Sequence, residues 1–348
     1  MKRFAILGIF AAAAFAFFAC ASEDRDRAGA PSGRIVIYTS IYPDIIDTLG
    51  WALNQRFPNV TVEFVYGGTG QLQARIASEI AGGRLGSDLI LVASPSFAHE
   101  LKGQGVLHPF FPEAAANLAF DFDSEGFWYP VRISNMVLAF DPDRHSRNDL
   151  PDSFYGFAND SRLYGVISMS NPLTSGTSRA AITALRDRYG YEFFSSLARQ
   201  NVSIEAGVLA LERLQSGERA MVMVLEESVL RKQEEESSRL EIIYPSDGTV
   251  IIPSPIMIVA GGWSANNNTR TAEIIADWFL GEEGQRAIVS GWMHSVIKDF
   301  RYSPFGSIPL TQIIENSMPF HWENVLSDGN YILERFEDLA LSPREGRY

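Results

Sequence analysis

Apolar and polar positions alternate along this chain in a repeating unit: a short β-branched apolar run, a polar junction, then a stretch of helical periodicity. Residues 34–38 (RIVIY) read as a strand and 45–57 as a helix, and 60–65 (VTVEFV) as a strand before Gly67-Gly68-Thr69-Gly70 and a helix over about 71–81. Residues 88–92 (DLILV) form the next strand, and Ser94-Pro95 opens a helix ending near Gly103. Such alternation builds a largely parallel sheet covered by helices on both faces. The pattern breaks at 128–140 (WYPVRISNMVLAF), a long extended stretch with no helix after it, and again at 249–259 (TVIIPSPIMIV). Between them, 150–244 carries its own alternation, and helices over 271–280 and 284–290 follow the second break. Two extended crossings bracketing a middle block predict an α/β protein of two lobes joined by two strands. Residues 34–130 plus 250–348 are expected to form lobe 1, completed by the C-terminal helices, and 131–249 lobe 2. A ligand would sit between the lobes and be trapped by hinge closure.

Ahead of this pattern, Lys2 and Arg3 precede an apolar run at 4–19 with no charge until Glu23. A run of that length is short for a membrane span, which needs roughly 20 residues. A basic start, an apolar core and a small residue at the break read instead as a secretory signal. Cys20 is the sole cysteine and stands at the break, so residues 1–20 resemble a bacterial lipoprotein signal in which the cysteine is lipidated. Phe17 occupies the position where such signals usually carry Leu, so cleavage without lipidation stays open. Residues 21–33 are polar, small and charged, the composition of a flexible tether.

The junctions hold the candidate chemistry. In open parallel sheets, ligands bind beyond the carboxyl ends of strands, where helix N-termini point. Here those junctions supply Ser40, Thr69, Gly70, Ser94 and the cluster Ser175-Gly176-Thr177. Helix N-termini present unpaired N–H groups and partial positive charge, so they receive anions without a lysine. For a single junction, ordinary N-capping is the favoured explanation of the hydroxyl, above all at Ser94 before Pro95. Two hydroxyls and a glycine at 175–177 exceed what a cap requires. Glu226 and Glu227 open the helix after 220–225, where a carboxylate is favourable on dipole grounds alone. Glu226 is weighed evenly between that role and the cleft, whereas Glu227 and Glu205 are read as helix-start placements. A cleft carboxylate beside anion-receiving helix ends implies a bipolar ligand.

Composition closes off other classes. The chain has 348 residues with 29 Lys+Arg against 42 Asp+Glu, a net charge of −13, which argues against nucleic acid. Removing Lys2 and Arg3 with the signal takes the charge to −15. One cysteine excludes a disulfide framework and Cys-based zinc sites. Gly67-Gly68-Thr69-Gly70 lacks the Lys-[ST] of a P-loop. Neither G-x-S-x-G nor H-E-x-x-H occurs, the five histidines are scattered, and Ser295-Val296-Ile297-Lys298 lacks the partners of an S-x-x-K enzyme. No catalytic residue, resident metal or cofactor is expected.

The ordered series IVIYTS, EFVYGGTGQLQARI, NPLTSGTSRAA, GERAMVMVLEES, IIYPSDGTVIIPSPIMI and FLGEEGQRAI resembles the solute-binding lipoproteins of bacterial ABC importers, from about Arg34 to Asp338. It is most similar to their ferric-iron-type group, which also contains binders of phosphorylated sugars and aminoethylphosphonate. The resemblance implies a two-lobe type II periplasmic-binding-protein fold, each lobe a mixed, mostly parallel sheet flanked by helices. It implies a monomer, tethered outside the cytoplasm by a lipid anchor, that delivers a small anionic solute to an ABC permease. It assigns anion-holding roles to Ser175-Gly176-Thr177, Ser40 and Thr69, and a cleft-lining role to Glu226, although Leu225 replaces the group's Phe. Ferric members use adjacent tyrosines, whereas none of the twelve tyrosines here are adjacent. A ferric ion is therefore the alternative ligand, and an exported enzyme on the same scaffold the remaining class.

Overall fold

A computed structural model describes residues 30–319 and 322–341. The signal, Cys20 and residues 21–29 of the tether lie outside the described residues. Among the described residues, no helix is long and apolar enough to cross a membrane.

The first units are β1 (Gly33–Thr39), α1 (Pro43–Arg56), β2 (Val60–Tyr66), α2 (Thr69–Ala81), β3 (Leu89–Leu91), α3 (Pro95–Gly103) and β4 (Leu107–His108). β1 pairs in parallel with β2 and β3. β5 (Tyr129–Phe140) is the first long extended strand, and α4 (Phe154–Asn159) follows it. The middle block then runs β6 (Ile167–Ser170), α5 (Gly176–Tyr189), α6 (Glu192–Arg199), β7 (Ser203–Glu205), α7 (Gly207–Ser216), β8 (Met221–Leu225), α8 (Glu226–Glu235) and β9 (Glu241–Ile243). β6 pairs in parallel with β7 and β8. The chain ends with β10 (Val250–Val259), α9 (Thr269–Leu280), α10 (Glu282–Ser290), α11 (Leu310–Glu315) and α12 (Trp322–Phe336).

β5 and β10 are the crossing strands. They pair antiparallel over Val250↔Met136 to Ile256↔Tyr129, and the register shifts between Ser254 and Pro255. Pro255 faces Pro130 there. Proline has no N–H to give a ladder, so this rung is weak and the pairing bends at that point. On one side of the crossing, Tyr129, Val131, Ile256 and Ile258 enter a core with Ile35, Ile37, Leu49 and Phe279. On the other, Met136, Leu138, Val250 and Ile252 enter a second core with Phe154, Ile182 and Phe194. The two lobes thus share one hydrogen-bonded path of strands, β2-β1-β3-β10-β5-β8-β6-β7.

α9 and α10 pack in the first core, through Ile275, Phe279 and Ile288. The C-terminal α12 departs from the expected boundary. Ile332, Leu333 and Phe336 pack in the second core, with the Phe194 and Phe336 rings edge to face at 5.1 Å. The buried positions of α12 share this core with Phe194 and Ile182, so burial places this helix with lobe 2 rather than lobe 1. Phe336→Ala should destabilise the protein by about 3–5 kcal/mol, the usual result of emptying a buried phenylalanine site. Urea unfolding followed by circular dichroism would measure it, and a change below about 1 kcal/mol would show that α12 is peripheral to that core.

Candidate functional site

Strand carboxyl ends from both lobes open onto one cleft of about 210 Å³. A larger cavity of about 330 Å³ lies beside Glu282, Lys298 and Arg301 on the flank of the first lobe, where no strand ends converge. The topology favours the interlobe cleft.

The first lobe contributes Ser40 after β1, Tyr66 at the end of β2, and Gly68, Thr69 and Gln71 at the start of α2. The second contributes Ser170, Asn171, Thr174, Ser175 and Thr177 around the start of α5, and Ala206, Gly207 and Val208 at the start of α7. Three helix N-termini therefore face one small space. Ser175 caps α5 by accepting from the Ser178 N–H at 3.2 Å, and its Oγ lies 2.9 Å from Thr177 Oγ1. Capping and cleft lining coexist there, because the helix start that Ser175 caps borders the cleft.

Of the expected residues, Ser40, Thr69, Ser175 and Thr177 line the cleft together. Gly70 and Gly176 stand at its edge, where the lobes touch: the Gly70 N–H donates across to Thr174 O at 3.3 Å. Ser94 does not line it. Its Oγ accepts from the Phe97 N–H at 3.3 Å and meets Ser96 Oγ at 3.0 Å, the capping role alone. Glu205 is held 2.9 Å from Arg213.

Of the two adjacent glutamates, the cleft candidate Glu226 does not line the cleft, and Glu227, read as a helix-start placement, does. Glu226 points away from the cleft into a buried cluster beneath the crossing strands. Its carboxylate lies 2.9 Å from His294 Nε2 and accepts from Tyr244 and Ser307 hydroxyls at 2.5 Å each. Burial alone would raise its pKa, yet the His294 hydrogen bond and charge, with Ser307 and Tyr244, hold the carboxyl below the ordinary range. Glu227 lines the cleft instead. It accepts from Ser134 Oγ at 2.9 Å and from Arg132 Nη1 at 3.3 Å. Consecutive helical residues project about 100° apart, which sends one carboxylate to the hinge and the next to the cleft. Burial pushes Glu227 upward against the opposing charge of Arg132, and pushes the Arg132 guanidinium down against Glu227.

Arg132, Tyr42, Tyr66 and the α7 start are cleft residues that the sequence reading did not select. Arg132 carried a signal: it is the one charge within the apolar run 128–140. Tyr42 and Tyr66 carried none, because they lie 24 positions apart, on different units. Ser295 of the S-x-x-K match donates to Gln285 Oε1 at 2.8 Å and is buried within the first lobe.

A helix-flanked sheet in two lobes around a polar cleft is the architecture of a solute-binding protein. The chain belongs to the bacterial extracellular solute-binding protein family, whose model matches residues 86–301. It is 19% identical over 327 residues to "Probable ABC transporter periplasmic-binding protein y4fP" of Sinorhizobium fredii, covering 87% of this chain and 89% of that protein. Among solved structures it is similar to iron-bound HitA from Pseudomonas aeruginosa (21% identity, TM-score 0.75, covering 88% of this chain and 99% of HitA). It is also similar to the periplasmic binding protein AfuA from Actinobacillus pleuropneumoniae with fructose-6-phosphate bound (19% identity, TM-score 0.77, covering 89% and 99%). At these identities the structural likenesses show the fold, a type II periplasmic binding protein.

The Glu226 cluster generates a stability prediction. A carboxyl depressed in the folded state contributes stability above the unfolded carboxylate pKa, and that contribution disappears as pH falls through the folded value. His294→Ala strips a buried partner from Glu226 and should cost on the order of 3 kcal/mol at neutral pH. The gap between wild type and variant should shrink as thermal melts are repeated below the carboxylate range. A gap constant with pH would mean that the loss is packing alone.

Proposed function

We propose that this protein captures a small anionic solute, phosphorylated or carrying a phosphonate, between its lobes and delivers it to the permease of an ABC importer. The carrying observation is the convergence of the α2, α5 and α7 N-termini with Arg132 on one cleft. Backbone N–H groups and a guanidinium supply donors in the forked geometry that phosphate oxygens accept. Ser40, Thr69, Ser175 and Thr177 add hydroxyls at the same rim. Glu227 favours donors, either sugar hydroxyls or an ammonium, at the other end of the ligand. AfuA, with fructose-6-phosphate bound, supports this ligand class on the same fold.

A ferric ion is the second reading, and Tyr42, Tyr66 and Glu227 are the observation that favours it. They place three oxygen groups of the kind ferric iron accepts around one cleft. Burial pushes both tyrosine hydroxyls up, which opposes the phenolate a metal needs. We read the chain as a binding protein without turnover, tethered by lipid at Cys20.

Thermal-shift screening of residues 21–348 against phosphosugars, 2-aminoethylphosphonate, phosphate and ferric citrate tests the ligand class. A hit at 100 times its Kd should add about 2.7 kcal/mol of stability. Arg132→Gln should weaken that hit roughly 10- to 100-fold, since a hydrogen bond to a charged group contributes about 1.5–3 kcal/mol. A shift with ferric citrate alone would overturn the anion reading. For the anchor, Cys20→Ser in the full chain should move the protein from the membrane fraction to the soluble extract, and retention in the membrane would refute lipid tethering.

A further inference from the structure

Three glycines at the edge of the cleft have no conformational reason to be glycine. Gly68, Gly70 and Gly176 are absent from the glycines with positive φ. Gly70 and Gly176 lie within the first turns of α2 and α5, where alanine is the better helix former. What excludes a side chain is the facing lobe. A β-carbon on Gly176 would stand 2.5 Å from the carbonyl oxygen of Ala93 and 2.8 Å from Thr69 Cγ2. On Gly70 it would stand 3.1 Å from Leu173 O, and on Gly68 3.2 Å from Thr174 O. Three of these four neighbours are backbone oxygens, which cannot rotate aside as the end of a long side chain can. The Gly70 N–H donates to Thr174 O across the same seam.

We propose that Gly70 and Gly176 set how far the lobes close, by letting the bare backbone of one lobe meet the bare backbone of the other. The inference rests on the reading that solute is held between the lobes, and it assigns these positions a part in affinity without contact with the ligand. A side chain at Gly176 holds the cleft ajar. Separating the lobes relieves these contacts, because the three atoms nearest a β-carbon at that position, from Ala93 and Thr69, all belong to the opposite lobe. Substitution should therefore weaken closure while leaving each lobe as stable as before.

The test needs no ligand. Asp44 and Arg231 form an ion pair across the lobes, with Arg231 Nη1 2.8 Å from Asp44 Oδ2. Asp44→Cys with Arg231→Cys, in residues 21–348 and hence without Cys20, gives a pair that a short bismaleimide can bridge each time the lobes close. Gly176→Val should slow the bridging at least fivefold, and Gly176→Ala should slow it less. Gly103→Ala is the control, since a β-carbon there would meet nothing within 4 Å; it should leave the rate unchanged. The melting temperature of the Gly176 variants should stay at or above that of their parent. Bridging at the parental rate in both Gly176 variants overturns the proposal, as does a fall in melting temperature that matches the loss of bridging. If fructose 6-phosphate and the other screened solutes fail to bind wild type while Gly176→Val still slows bridging, the ligand class is wrong and the closure seam stands.

Discussion

The antiparallel pairing of β5 with β10 holds the molecule together and also makes it divisible. Each strand begins in one hydrophobic core and ends in the other, and all twelve residues of β5 are buried. Because both crossings lie side by side, the lobes cannot separate without breaking a ladder. Because Pro130 faces Pro255 at the shifted register, that ladder is weakest where a bend is needed. Everything the cleft does depends on this pair, since it fixes which strand ends face each other. It also carries Arg132 into the cleft wall and Asn135 toward Glu226.

Charge within the cleft is organised locally. The chain is strongly acidic overall, yet the groups facing the cleft are helix N-termini, hydroxyls and the Arg132 guanidinium, with one carboxylate, Glu227, paired to that arginine. A helix end acts over its first turn, and screening in water removes most of the field of surface carboxylates at such distances. A net negative protein can therefore receive an anion. Glu227 beside Arg132 keeps the buried arginine paired, where an isolated buried charge would be costly. The same pairing makes the cleft dipolar and favours a ligand with both acceptors and donors.

Glu226 and Glu227 illustrate the limit of motif reasoning. Both open the same helix after the same strand, and either suits a helix start. One ties α8 to His294, Ser307 and Tyr244 behind the crossing strands; the other lines the cleft. The difference is a rotation of about 100° in one turn. Periodicity locates the turn but not its azimuth relative to a strand from a distant part of the chain. Arg132 was visible as a charge in an apolar run, whereas Tyr42 and Tyr66 became neighbours only through the parallel pairing of β1 with β2.

By itself, the sequence determined most of the elements, the two crossings and the hydroxyl-rich junctions, because these follow from local periodicity and turn chemistry. It therefore contained Ser40, Thr69, Ser175 and Thr177 as cleft residues before any contact was known. Tertiary structure decided which lobe α12 completes, which of two adjacent glutamates lines the cleft, and why Gly70 and Gly176 carry no side chain. Those outcomes depend on surfaces from remote segments meeting at a few ångströms, and no local pattern encodes the distance between two backbones that only the closed fold brings together.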